Sequence, residues 1–284
     1  MNDTVLENKK PSTVKRNFNK SIQLTSLTPI SIILRSYRTS ELKGIVSYLK
    51  QNRETEKEVI AVCVTNDYDI EGAEVILEPS NMFEARITGI KKAHFDRILL
   101  LDSDQVPEIG LLEELNDKKE DMVIIPERSL SKGLTSKCLD DWRRRNEEIA
   151  RRKPSPDLPV IPRFYLRKHL LKAIAEWPNN TPKILSHEDS VLYYYVYRIS
   201  QNIGFSTKYI LNIDPNIFIL MQKAYLYGKF KKSAKAVDIS PDVRNLLDRL
   251  NNNTLNIKEL GLGSGYLVQI PRGLAYKLGE MICR

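Results

Sequence analysis

Two carboxylates one residue apart, Asp102 and Asp104, end the apolar run Arg97-Ile-Leu-Leu-Leu-Asp102-Ser103-Asp104. Inside a strand, residues i and i+2 share a face, so the pair can converge on one divalent cation or one ligand, with Ser103 turned away. Asp and Ser are also ordinary turn residues, and the tripeptide alone reads as a solvated turn ahead of Pro107. A second acidic pair, Glu188-Asp189, follows His187 and opens a stretch, Val191 to Ile199, that is apolar on nearly every side. A helix of that kind is buried. The pair then lies against the core, where a carboxylate can take a proton from an attacking hydroxyl. Arg86, near a helix start, can place a guanidinium on phosphate or ribose; its plainer role is a surface ion pair. Lys223 to Lys235 is basic and aromatic together, with no acid in between.

The elements that must position these residues alternate between strands and helices. Ile30 to Leu34 reads as a buried strand that runs into Arg35-Ser36-Tyr37-Arg38. A helix begins near Thr39 or Ser40, residues that can cap it, with Leu42, Ile45, Val46 and Leu49 as its apolar stripe. Strands follow at 58–64 and 73–77, then a helix with Phe83, Ile87, Ile90 and His94 on one face, then the strand Ile98 to Leu101. Such alternation implies parallel pairing through right-handed crossovers, with ligands beyond the carboxyl ends of the strands. Tyr37, Asp67, Asp69, Asp102 and Asp104 all fall at such ends.

Met122 to Ile125 reads as a fifth strand, and residues 137–153 as a helix whose early Asp140 and Asp141 and late Arg151, Arg152 and Lys153 suit the helix macrodipole. Pro154 to Pro162 forms a rigid, unhelical crossing. A helix from Glu188 to Ile203 ends at Gly204, a strand covers 206–211, and helices follow from Ile217, over 241–250 and around Leu274 to Ile282. Gly261-Leu-Gly263-Ser-Gly265 has the form of a phosphate-binding turn, but no strand plainly precedes it. Trp142, Trp177, His94 and His169 read as packing or structural residues, and His187 as either a hydrogen-bonded structural residue or an orienter of Asp189.

With 284 residues, 42% hydrophobic and 28% charged, the chain is globular and fits one large α/β domain with or without an appendage, which excludes disorder throughout. No apolar run reaches the roughly 18 residues of a membrane span, and the polar, lysine-rich start does not resemble a secretory signal. A cytoplasmic protein is the expectation. Cys63, Cys138 and Cys283 are odd in number and far apart, which argues against a disulfide framework or zinc site. The net charge of +8 calls for an anionic partner, whether nucleic acid, lipid headgroup or substrate phosphate. Residues 1–27 read as a mobile basic arm.

Taken in order, these residues resemble an inverting GT-A glycosyltransferase of the family 2 type, from about Thr28 to Lys235. Ile30 to Arg38 is similar to the family's first strand and nucleotide-contacting turn, although Leu34-Arg35-Ser36 departs from the usual Pro-Thr-Tyr-Asn style. Glu84-Ala85-Arg86-Ile-Thr-Gly89-Ile90 looks like the Ala-Arg-Asn-x-Gly-Ile helix. Asp102-Ser103-Asp104 occupies the Asp-x-Asp position and Glu188-Asp189 the Glu-Asp position. Gln222-Lys-Ala-Tyr225-Leu226 lacks the Arg and Trp of processive members, so a polymerising synthase is not expected.

The resemblance implies an α/β, GT-A fold: a Rossmann-like mixed central sheet flanked by helices, with a helical extension at the C-terminus. Residues 28–125 would form the nucleotide-binding half, 126–236 the acceptor half and 237–284 the extension. The donor would be a UDP- or GDP-sugar, contacted by Ser36, Tyr37, Asp67 or Asp69, Arg86, Asp102, Ser103, Lys223 and Tyr227. Asp104 would bind Mn²⁺ or Mg²⁺, with Asp102 on the ribose or a metal-bound water. Asp189 would be the general base, and Glu188 would bind the acceptor or act with Asp189 in the first helical turn. The acceptor would be a saccharide, lipid-linked or protein hydroxyl. The basic segment after Lys223 also suits peripheral contact with an anionic membrane. The rival readings are a retaining enzyme, a sugar-phosphate nucleotidyltransferase and, in another class, a nucleic-acid-binding module using the basic arm and the Arg143 to Lys153 helix; nucleic acid is not the expected partner.

Overall fold

The computed structural model describes residues 28–51, 55–78, 82–177, 187–235, 240–253 and 264–282. The first seven residues of β1 (Ile30–Arg38) are all buried, so both faces of the strand are covered. That is why Ile30 to Leu34 is mostly apolar, broken only by Ser31. Around it lie β2 (Lys57–Thr65), β3 (Glu74–Leu77), β4 (Arg97–Asp102), β6 (Met122–Ile124), β8 (Pro162–Leu166) and β9 (Ile203–Phe205). They form a seven-stranded sheet in the order β3-β2-β1-β4-β8-β6-β9. Pairing is parallel from β3 through β4, antiparallel on either side of β8, and parallel again between β6 and β9.

The period-2 alternation of strand side chains sorts the core into two layers. Ile33, Ile60, Val62, Ile98, Leu100 and Tyr165 face one side. There they meet α2 (Met82–Lys92), α5 (Arg167–Glu176), α6 (Glu188–Ile199) and α8 (Pro241–Asn253). Ile32, Leu34, Ala61, Leu99, Leu101 and Phe164 face the other side, against α1 (Lys43–Gln51) and α3 (Leu111–Asp117). A smaller cluster joins Cys138 and Leu139 of α4 (Leu134–Arg152), Ile217 and Leu220 of α7 (Ile217–Lys235) and Val268 of α9 (Tyr266–Ile282). A three-stranded sheet, β5-β10-β7, stands over the carboxyl end of β4; its strands are β5 (Gln105–Pro107), β7 (Glu127–Ser129) and β10 (Ile210–Asn212).

Several boundaries differ from the sequence expectation. The first helix begins as a 3-10 turn, Thr39–Leu42, without a side-chain cap. Thr39 Oγ1 instead accepts the N–H groups of Asp67 and Tyr68, tying the turn to the end of β2. His94 lies past the end of α2, its amide and ring both on Glu58. α6 ends at Ile199, so Gly204 is the middle of β9 rather than a helix stop, and the next strand is Ile210–Asn212. β8 and α5 follow the Pro154 to Pro162 crossing, where no strand was expected. Asp140 and Asp141 fall outside the first turn of α4. They serve tertiary contacts: Asp140 accepts the Ser129 amide, and Asp141 accepts Gly265 N–H and Ser264 Oγ–H. The last helix begins at Tyr266 and contains Pro271. Residues 1–27 and the glycines 261 and 263 lie outside the described residues. Where the described chain resumes, the Gly265 amide is occupied by Asp141 at 3.2 Å.

Candidate active site

Three arginines from three elements meet the carboxylates at the end of β4. Arg35 is the register partner of Asp102 across the β1–β4 ladder, and its Nε donates to Asp102 Oδ1 at 2.5 Å. Arg86 Nη2 donates to the same oxygen at 3.0 Å, and Arg163 Nη1 lies 3.5 Å from Oδ2. Arg86 reaches this point because Gly89, one turn later, lets α2 press onto the sheet. A Cβ there would stand 2.5 Å from Ile33 Cγ2. Arg163 arrives on β8, the strand inserted between β4 and β6.

The N-terminus of α6 completes the cluster. His187 precedes it with φ of 62°, the single positive-φ residue other than glycine among the described residues. Such a conformation is uncommon outside Gly, Asn and Asp. It directs the first turn so that Glu188 meets Arg35 at 2.5 Å, while Asp189 pairs with Arg86 and lies 3.2 Å from Arg163. Arg163 also holds Glu127 at 3.1 Å. The turn after β4 is fixed from the small sheet: the Gln105 amide oxygen accepts the Asp102 N–H at 3.0 Å, and the Asp104 carbonyl accepts the Ile213 N–H at 2.8 Å.

Charge divides the two aspartates. Burial acts to raise the Asp102 pKa, but the pull of Arg35, Arg163 and Arg86 outweighs it and holds the carboxyl well below its ordinary range. Glu188 is likewise lowered, burial being overcome by Arg35 and Arg86. Burial, reinforced by Arg35, brings the Arg86 guanidinium down to about 9. Asp104 moves the other way: burial first, then the neighbouring Asp102, raise it, with Lys223 opposing. Among the described residues Asp104 has no ion-pair partner within 4.0 Å.

The same contrast decides how a divalent cation would fit. Among the described residues no three His, Cys, Asp or Glu side chains converge as a metal cage. A cation shared with a diphosphate needs only one or two protein carboxylates. Among the described residues Asp104 has no side-chain cation paired with it, whereas Asp102 is already held by three guanidinium groups.

The other expected donor residues form a second group. Ser36 points away from Arg35, as neighbours in a strand must, and bonds Glu41. Asp67 is exposed and receives Ser40 N–H at 3.0 Å and Ser40 Oγ–H at 2.8 Å, bonds that lower its pKa. Tyr37 and Asp69 are exposed, Ser103 half-buried. Lys223 acts on Asp104 from α7, and Tyr227 of the same helix lies within electrostatic reach of Glu188, Arg35 and Asp102. Trp177 stacks on Phe83 at 4.4 Å, as packing requires. Trp142 instead walls a cavity of about 130 Å³ that borders Arg163, Glu127 and Arg143.

No protein-family model matches the sequence, and no curated protein does. Solved structures do match. The crystal structure of Staphylococcus aureus TarS residues 1–349 aligns with a TM-score of 0.51 at 14% identity, over 89% of this chain and 81% of that one. A longer TarS chain aligns with a TM-score of 0.50 at 14% identity over 81% of this chain, which spans 46% of its length. The chain shares the α/β fold of TarS. At this identity the likeness is one of fold, and it agrees with the mixed, mostly parallel sheet and its flanking helices.

Arg35, Arg163, Glu127 and Arg272 were not singled out in the sequence. Arg35 sits inside an apolar strand, where it was legible only as a departure from a motif. Arg163 follows a proline-rich crossing that hides its strand. Arg272 comes from α9, and its electrostatic neighbours include Tyr227 and Arg143.

Proposed function

We propose that the chain transfers one sugar from a nucleotide-diphosphate sugar to a hydroxyl acceptor with inversion. The observation that carries this reading is Asp104, without an ion-pair partner among the described residues, beside the arginine-held Asp102 at the carboxyl end of β4, with Asp189 on the same arginines. A site at the carboxyl edge of the parallel strands is where α/β sheets bind nucleotides. Asp104 would hold a divalent cation, which supplies Lewis-acid stabilisation to the departing diphosphate when bound.

Lys223 and Tyr227 approach that position from α7, and Asp67 and Tyr37 stand at the neighbouring strand ends for the base and ribose. Asp189 takes the acceptor hydroxyl's proton as its oxygen bonds to the anomeric carbon. The bond from that carbon to the diphosphate oxygen breaks, and its electron pair leaves with the nucleotide. A carboxylate pressed by Arg86 and Arg163 is a weak base. Acceptor binding must therefore loosen the Arg86 and Arg163 pairing before Asp189 accepts the proton. Glu188 stays on Arg35 and fixes the first turn of α6.

A thermal-shift screen with UDP, GDP and their sugars, with and without Mn²⁺, tests the reading, since a ligand of the native state raises apparent stability. Cation-dependent stabilisation by one nucleotide sugar is expected. No shift with any of them, combined with release of pyrophosphate from a nucleoside triphosphate and a sugar phosphate, would replace it with nucleotidyl transfer.

A further inference from the structure

We propose that the outer face of α9 docks the protein on an anionic lipid bilayer. Leu267, Ile270, Leu274, Leu278 and Met281 are each more than half exposed. Their spacing of three and four residues places them within an arc of about 80° on an α-helix. The stripe runs about 21 Å along the helix axis. Val268, Ala275 and Gly279 occupy the buried side. Single exposed leucines are ordinary on a protein surface, but an aligned row of five large side chains is an interaction face.

Charge chooses the occupant. Residues 223–284 carry eleven Lys and Arg against five Asp and Glu, so six of the chain's eight net positive charges lie in this segment. Lys223 and Lys229 are exposed on α7, the helix on which α9 rests. A second copy seated on the stripe would bring two such positive segments together. An anionic headgroup layer neutralises them while the apolar row enters the acyl boundary, the mode of an interfacial amphipathic helix. Among the described residues no helix is long and apolar enough to cross a membrane, so the contact lies in the interface plane.

The face is coupled rigidly to the candidate site. A Cβ on Gly228 would strike the Tyr276 carbonyl, and one on Gly279 the Tyr225 carbonyl, so α7 and α9 touch backbone to backbone. Docking α9 therefore fixes the orientation of Tyr227, next to Gly228, and of Lys223, five residues earlier on α7. Resting on the proposed transferase reading, this geometry selects a lipid-linked hydroxyl as acceptor.

The test is co-sedimentation of the full chain with phosphatidylcholine vesicles, with and without an equal part of phosphatidylglycerol. The expected result is binding to the anionic vesicles alone, weakened by salt, and reduced about tenfold or more in the Leu274→Glu, Leu278→Glu double variant. Nucleotide-induced thermal shift in that variant, measured without vesicles, should be unchanged, which separates failed docking from a failed transferase reading. Hydrogen exchange on the unaltered chain provides a second measurement that needs no variant: α9 should gain protection with anionic vesicles. Equal vesicle binding by both forms overturns the proposal, as does absence of binding and protection. A concentration-dependent dimer that the double variant dissolves would assign the face to a second copy.

Discussion

Arg35 and Asp102 face each other across two parallel strands, and the same guanidinium reaches past Asp102 to Glu188 on α6. One side chain thus ties the end of the sheet to the start of the helix that carries Asp189. Removing one partner from a buried ion-pair network leaves the others uncompensated, a loss of about 3–5 kcal/mol. Arg35→Ala should lower stability by about that amount in urea unfolding, and Arg35→Ala with Asp102→Asn by less than the sum of the two single changes. Strict additivity would show that the pair is not coupled.

The depressed pKa of Asp102 fixes the sign of an acid effect. Its folded-state pKa lies below the unfolded value of roughly 3.9, so its contribution is fully present above that value and is lost as pH falls through the folded one. The stability gap between the unaltered protein and Asp102→Asn should therefore be constant from neutral pH to about pH 5 and close below about pH 4. A gap that widens with acid would reverse the assignment.

Asp104 has the opposite sign. With a raised folded-state pKa it opposes folding above that pKa, and the opposition vanishes below the unfolded value. Asp104→Asn should raise stability near pH 7 by about 1 kcal/mol, or about 2–4 °C in Tm, while abolishing cation-dependent nucleotide binding. The gain should fade on acidification. Calorimetry across pH and a nucleotide titration with Mn²⁺ check both halves.

Asp189→Asn keeps a hydrogen-bonding side chain of the same shape but cannot take a proton. Nucleotide-sugar affinity should change little, and transfer should fall by about 10²–10⁴-fold. A rate within a few-fold of the unaltered protein would remove Asp189 as base.

Gly228→Ala introduces a methyl group where α9 presents the Tyr276 carbonyl. The helices must separate, with a loss of about 1–3 kcal/mol typical of overpacking. Limited proteolysis should then cut within α9 before the sheet domain. Unchanged protease resistance would mean that the crossing yields more easily than its geometry implies.

The strands and their carboxyl-end residues were legible because burial on both faces writes mostly apolar runs, as in Ile30 to Leu34 and Ile98 to Leu101. Glu188 and Asp189 were legible because the buried helix behind them is apolar all round. The arginines that hold them were not. Arg35 sits on a strand that pairs with β4, 62 residues later, and Arg163 on one that joins the sheet out of chain order. No local pattern encodes such partners. His187 was marked beside the acidic pair, but its left-handed backbone conformation had no signal in the sequence.

The antiparallel insertion of β8 binds the two parts of the chain into one sheet. β6 touches only β8 and β9, both from beyond residue 125, and β4 has β8 as its second neighbour. A cut near residue 125 would leave β4 without β8 and β6 without either neighbour. A gene cut there would yield two fragments with open strands, Arg35 and Arg86 on one and Arg163 on the other. Recombinant chimeras should survive only when their junctions fall outside β1 through β9.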